Sequence, residues 1–217
     1  MFREDFVWGV ASSAYQVEGT DSADGRGKTV WDMFTEDGRV YENQNAYTSC
    51  DHMHHYKEDI ALMKHLGIHA YRFSLNWARI LPEGTGRVNE QAIEMYRDMI
   101  LTMKENGITP YITLFHWEFP LALYEQGGWM NPKVVDWFGE YAKVVAERFS
   151  DLCEYFITIN EPQCVVGLGH LSGVHAPGVK LSVKETFLVA HHLLMAHGQA
   201  VINLRKYACR KIKVGYA

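Results

Sequence analysis

Tyr155-Phe-Ile-Thr-Ile-Asn-Glu-Pro162 opens on aromatic and β-branched residues in succession and closes on two polar groups and a proline. The first five fit a pleated, buried strand, and Pro162 cannot donate to a ladder, so the strand stops at Asn160 and Glu161. A carboxylate therefore sits where a buried strand ends. In a parallel-sheet protein that is the carboxyl edge, on which active sites are assembled. Taken alone, a Glu-Pro after a strand is more often a solvated turn, so the neighbouring elements decide its meaning.

Outward from this stretch the same pattern of strand and polar exit recurs. Phe6 to Tyr15 predicts a first strand leaving through Gln16-Val-Glu18. Ala70 to Leu75 predicts a second, carrying Arg72 and leaving through Asn76-Trp77, and Pro110 to Phe115 a third, leaving through His116-Trp117-Glu118. Helical spacing fills the intervals: Tyr56, Ile60, Met63 and Leu66 before Gly67; Ile93, Tyr96, Ile100 and Met103 between Asn89 and Asn106-Gly107. Asn131-Pro132 predicts an N-cap with proline in the first turn of a helix running to Phe149. Residues 20 to 49 read as a long binding loop, and Gly167 to Gly178 as a glycine-rich excursion. Ser182-Val-Lys-Glu185 has the capping-box spacing and opens a helix of at least twenty residues, after which Lys213 to Ala217 begins a fifth strand.

Alternating strands and helices imply parallel strands with right-handed crossovers, and no Gly-x-Gly-x-x-Gly turn marks a nucleotide fold. The expected class is α/β of the (β/α)8 barrel type, here its first four β/α units plus the start of a fifth strand. Such barrels take about 250 residues, and this chain has 217. An incomplete barrel leaves two strand edges and apolar surface uncovered. A fragment, a homo-oligomer or docking with a complementary half barrel would each answer that.

The composition, 47% apolar and 22% charged, is that of a globular protein with a real core. A net charge of -5 without a basic run argues against nucleic acid or an acidic membrane as partner. No basic stretch precedes an apolar signal segment and no apolar run is long enough to span a bilayer, which predicts a cytoplasmic protein. Cys50, Cys153, Cys164 and Cys209 lie far apart with no Cys-x-x-Cys pair, as free thiols do in a reducing compartment. His52, His54 and His55 fit no standard zinc spacing and read as structural, and His191, His192 and His197 as helix packing or surface. No cofactor or metal is expected.

Four strand exits carry Gln16 and Glu18, Arg72 and Asn76, His116 and Trp117, Asn160 and Glu161. In a barrel all four converge on one face. The mixture suits a sugar, whose hydroxyls are each donor and acceptor and whose ring has an apolar face for an aromatic such as Trp117.

These residues also carry a resemblance. Phe6-Val-Trp-Gly9, Tyr15-Gln-Val-Glu-Gly19, Cys50-Asp-His-Met-His-His-Tyr-Lys-Glu-Asp59, Tyr71-Arg-Phe-Ser-Leu75, His116-Trp117, Gly128-Trp129 and Thr158-Ile-Asn-Glu-Pro162 together resemble glycoside hydrolase family 1, the β-glucosidases, over the N-terminal half of a family member. The resemblance implies a retaining β-glucosidase acting on β-linked glucosides or oligosaccharides by double displacement. Glu161 would be the acid/base, with its pKa raised toward neutrality. Asn160 would hold the sugar 2-hydroxyl, Gln16 and His116 would bind other hydroxyls with Trp117 beside them, and Arg72 would support an ionised nucleophile. That nucleophile belongs to a Glu-Asn-Gly motif on a late strand, which this chain does not contain. Glu105-Asn106-Gly107 repeats the letters but ends a helix before strand three, on the opposite face from Glu161. The chain alone is thus expected to lack turnover. A noncatalytic carbohydrate-binding remnant and a half-barrel assembly unit stay open as alternatives, as do 6-phospho-β-glucosides as substrates.

Overall fold

The computed structural model describes residues 2–19 and 24–217. A parallel sheet in the order β1-β2-β3-β4-β5 organises it, from β1 (Gly9–Ala11), β2 (Ala70–Ser74), β3 (Thr109–Phe115), β4 (Tyr155–Ile159) and β5 (Lys213–Gly215). Every neighbour in space is the neighbour in sequence, which excludes a doubly wound sheet, whose strand order reverses at a switch point. Register carries across the sheet: Arg72 lies beside Ala11 and Tyr111, Tyr111 beside Tyr155, and Tyr155 beside Lys213. The arc is that of a (β/α)8 barrel with five of its strands.

Burial alternates along the strands. Tyr71, Phe73, Ile112 and Phe156 are buried against α3 (His52–His65), α5 (Glu90–Glu105), α7 (Val134–Phe149) and α9 (Val183–Tyr207), where Ile60, Ile100, Val145 and Leu204 close the core. On the other face Arg72, Tyr111, Tyr155 and Ile157 are half-buried, and the rings of Tyr111 and Tyr155 stack with centroids 4.3 Å apart. Only one face of the sheet is therefore fully covered.

The helices stop where the sequence puts their breaks. Gly67 and Gly107 take φ of 73° and 76° just past α3 and α5, a conformation that costs glycine least. Asn89 caps α5 through its side chain, and Ser182 and Glu185 form the expected capping box of α9. Asn131 is not the cap of α7: Lys133 holds that position, and the Asn131 carboxamide turns to accept from the Lys133 amide at 3.0 Å.

Three loops differ from expectation. The first strand is confined to Gly9–Ala11, and Ala14–Val17 forms a short helix, α1, because Ser74 and Glu118 supply acceptors for its first amides. Residues 20–49 hold α2 (Val30–Glu36) with a capping box between Thr29 and Asp32, although residues 20–23 of that segment lie outside the described residues. The glycine-rich excursion begins inside a helix, where α8 (Pro162–Cys164) runs into a π-helical turn at Val165–Leu171, and continues as turns from residue 172. Two short helices, α4 (Trp77–Ile80) and α6 (Leu121–Tyr124), follow β2 and β3.

Candidate active site

Backbone pairing continues past the ends of the strands and draws their exits together. Ser12 N donates to Arg72 O at 2.9 Å, Leu75 N to Thr113 O at 2.9 Å, and Asn160 N to Phe115 O at 2.9 Å. Five of the expected residues meet there. Arg72 donates from Nε to Thr113 Oγ1 at 2.9 Å and from Nη2 to Asn160 Oδ1 at 2.6 Å. The Asn160 amide nitrogen lies 3.2 Å from His116 Nε2 and donates to Glu161 Oε2 at 3.1 Å. Trp117 Nε1 donates to the Asn160 carbonyl at 3.0 Å. Asn160 is thus the hub, buried, with Arg72, His116 and Trp117 half-buried around it and Glu161 exposed.

Charge and burial set the protonation states. Burial, reinforced by the Arg72 cation, pushes His116 down to about 4, so the imidazole is neutral near pH 7. An amide NH2 can only donate, so Nε2 accepts from Asn160 and the ring proton sits on Nδ1. Nδ1 is buried with no hydrogen-bond partner among the described residues. Burial also lowers the Arg72 pKa, against the opposing pull of Glu161.

Two site residues have left-handed backbones. Trp117 has φ 83° and Glu161 φ 44° with ψ 63°. A side chain in that region is strained, and Pro162 adds to the cost by disfavouring helical conformations in the residue before it. The Glu161 amide is held by a 2.7 Å bond to the Ala217 carbonyl. Beside Trp117, an apolar pocket is lined by Trp31, Trp117, Tyr124, Cys164, Val165 and His175.

Gln16 is not joined to this cluster. It is exposed on α1, where its Oε1 accepts from Ser13 Oγ at 2.8 Å. Glu18 and Asn76, read as part of the polar ring, have structural work instead. Tyr96 Oη donates to Glu18 Oε1 at 2.8 Å, Arg79 Nε lies 3.3 Å from Glu18 Oε2, and Asn76 Oδ1 caps α4 at the Arg79 amide. Both partners, Tyr96 and Arg79, are buried, and burial raises the Glu18 pKa against the opposing pull of Arg79. Glu118, on the same strand exit as His116, is buried too, and sequence spacing alone gave it no role.

The remaining candidates resolve simply. Glu105-Asn106-Gly107 ends α5 ahead of β3, whereas Glu161 follows β4; parallel strands place the two at opposite ends of the sheet. His52 is buried with Nδ1 2.6 Å from Asp59, a packing role. His192 Nδ1 meets the Trp129 carbonyl at 2.7 Å. No group of three or more His, Cys, Asp or Glu side chains able to hold a metal ion occurs among the described residues.

The sequence profile of glycosyl hydrolase family 1 matches residues 1–217. The chain belongs to glycosyl hydrolase family 1. Among its family 1 relatives, β-glucosidase A of Thermotoga maritima is 47% identical over 206 residues, covering 94% of this chain and 46% of the relative. β-Glucosidase A of Acetivibrio thermocellus is 44% identical over 206 residues, with 94% and 46% covered. The structure of the Thermotoga maritima β-glucosidase in complex with deoxynojirimycin superposes with a TM-score of 0.96 at 45% identity, over 99% of this chain and 48% of that one. This family 1 chain therefore spans about half the length of the relatives it matches.

Proposed function

We propose that this chain is the glycone-binding and acid/base-bearing portion, residues 1–217, of a retaining β-glucosidase catalytic domain. The observation that carries the reading is the Asn160 hub, which ties a cation, a neutral imidazole and an exposed carboxyl into one hydrogen-bonded group at the strand exits. Such a set matches the vicinal hydroxyls of a glucoside: Asn160 reaches the 2-hydroxyl, His116 binds another, and Trp117 packs the ring. Glu161 protonates the leaving oxygen and then deprotonates the incoming water. Arg72 supports an ionised nucleophile, a second carboxylate about 5 to 5.5 Å from the first. Neither Glu105 nor the buried Glu18 is placed to serve, so the nucleophile is supplied from outside these residues.

A partner surface supports the same reading. β1 pairs only with β2, and β5 only with β4, so each end strand keeps an unpaired side among the described residues. Phe2, Phe6 and Trp8 cluster near β1 with 64%, 43% and 50% exposure, an aromatic group beside the unpaired strand edge. The polypeptide that completes the barrel covers these edges. The four cysteines are unpaired, in keeping with a reducing, cytoplasmic compartment.

The test is aryl release from a chromogenic aryl β-glucoside by the 217-residue chain and by Glu161→Gln, alongside titration with deoxynojirimycin. Iminosugar binding without aryl release is the expected result, with the affinity reduced at least tenfold in Asn160→Ala. Absence of binding overturns the reading, and turnover lost in Glu161→Gln overturns the assignment of the nucleophile to another segment.

A further inference from the structure

Glu118 belongs neither to the Asn160 hub nor to the Glu18–Arg79 network, yet it is a buried carboxyl between two expected sugar contacts. It follows His116 and Trp117 at the exit of β3, it is 1% exposed, and its Oε1 accepts from the Tyr15 amide at 2.7 Å. Tyr15 is the residue before Gln16. The first amides of a helix have no partner within it and need outside acceptors. In α1 the usual acceptor of such a cap, the Ser13 hydroxyl, instead donates to Gln16 Oε1 at 2.8 Å and makes no cap. The acceptors arrive from other strands: Ser74 Oγ takes the Ala14 amide at 2.7 Å, and Glu118 takes the Tyr15 amide. The turn that presents Gln16 is therefore fixed to β2 and β3 rather than by its own sequence.

Glu118 Oε2 has no hydrogen-bond partner among the described residues, an arrangement that costs stability in a buried site. A carboxyl kept at such cost, with one oxygen committed to the Tyr15 amide, points to a positional duty. We infer that Glu118 is a positioning residue for glycone recognition, holding the Gln16 turn in register with His116 and Trp117 through the Tyr15 amide. The inference rests on the sugar-binding reading above. Glu118 touches no substrate in this role; it acts through α1.

Deoxynojirimycin affinity, measured by calorimetry on the 217-residue chain, tests it with substitutions at Glu118 and Gln16. Glu118→Gln keeps an acceptor oxygen and should bind within twofold of the unsubstituted chain. Glu118→Ala removes the acceptor and should weaken binding about three- to tenfold, the worth of one hydrogen bond. Glu118→Met fills the same volume without a carboxyl oxygen, should match Ala, and serves if Ala does not fold. Contacts that act through one another are not additive, so Glu118→Met in a Gln16→Ala background should add less than a twofold loss. Unchanged affinity in Met, failure of Gln to rescue, or losses that multiply in the double variant would each overturn the inference while leaving the sugar reading intact. No binding by the unsubstituted chain would instead overturn the sugar reading, and this inference with it.

Discussion

Arg72 Nη2 and Asn160 Oδ1, 88 positions apart in the chain, are joined by a 2.6 Å hydrogen bond across the exits of β2 and β4. The bond fixes which way the carboxamide faces. With Oδ1 on the guanidinium, the NH2 faces His116 and Glu161; the reverse orientation would set donor against donor at Arg72. Asn160→Asp places acceptors at both ends, which suits Arg72 but repels Glu161. We expect Asn160→Ala to lower stability by about 1–3 kcal/mol, because it strips a half-buried guanidinium of one of its two side-chain acceptors. Urea unfolding measures that loss, and Asn160→Asp should retain more stability than Ala.

His116 makes stability depend on pH on the acid side. Its folded pKa of about 4 lies below the ordinary 6.5. Between those values the unfolded chain binds a proton that the folded chain refuses, so stability rises with pH across that window and is lost as pH falls from 6.5 toward 4. The loss from this group is at most on the order of 3 kcal/mol. His116→Gln should flatten the wild-type slope between pH 4 and 6.5 in urea midpoints measured across that range; an unchanged slope would place the effect elsewhere.

Glu118 acts in the opposite sense on the alkaline side. Burial pushes its carboxyl up to about 8 from the ordinary 4.5. Between 4.5 and 8 the folded chain holds a proton that the unfolded chain releases, so stability falls as pH rises through this window. Glu118→Gln remains neutral at every pH. It should therefore exceed the wild type by on the order of a few kcal/mol at pH 8, with the advantage vanishing near pH 4.5. Thermal unfolding of both proteins at the two pH values checks it.

The strands are legible because each is an apolar run that breaks on polar residues or proline, and four of the candidate residues, His116, Trp117, Asn160 and Glu161, lie where those breaks fall, with Arg72 inside β2. What the pattern could not separate was a polar residue offered to a ligand from one used up inside. Glu18 and Asn76 have the same local signature as Asn160. Their fates differ because Tyr96 and Arg79, from α5 and α4, arrive beside them and take their hydrogen bonds. For Glu18 those partners come from distant segments and leave no mark in the local sequence, whereas Asn76 is used up by the helix that starts beside it. α1 was missed for the same reason: Ala14 and Tyr15 read as strand, and the acceptors that make them a helix belong to Ser74 and Glu118. The glycines of the Gly167 to Gly178 stretch suggest a loop, yet helical hydrogen bonding continues through Gly167 and Gly169, and the His170 ring is tied to the Val165 carbonyl at 2.8 Å.

Glu161 carries a backbone cost. Its φ of 44° is unfavourable for a residue with a Cβ, by about 1–2 kcal/mol, and Pro162 narrows its alternatives further. The Ala217 carbonyl holds its amide in that conformation, and the exposed side chain gains a single hydrogen bond, from Asn160. Glycine adopts this backbone freely, although it loses more entropy on folding. Glu161→Gly should therefore raise stability, by about 0.5–1 kcal/mol, where most substitutions at a hydrogen-bonded residue lower it. Glu161→Gln, which keeps the strain, should leave stability within about 0.5 kcal/mol of the wild type. Urea unfolding of the three proteins decides the matter: a Gly variant less stable than Gln would mean that the left-handed backbone is no burden, and that the carboxyl at this position has been retained without cost to the fold.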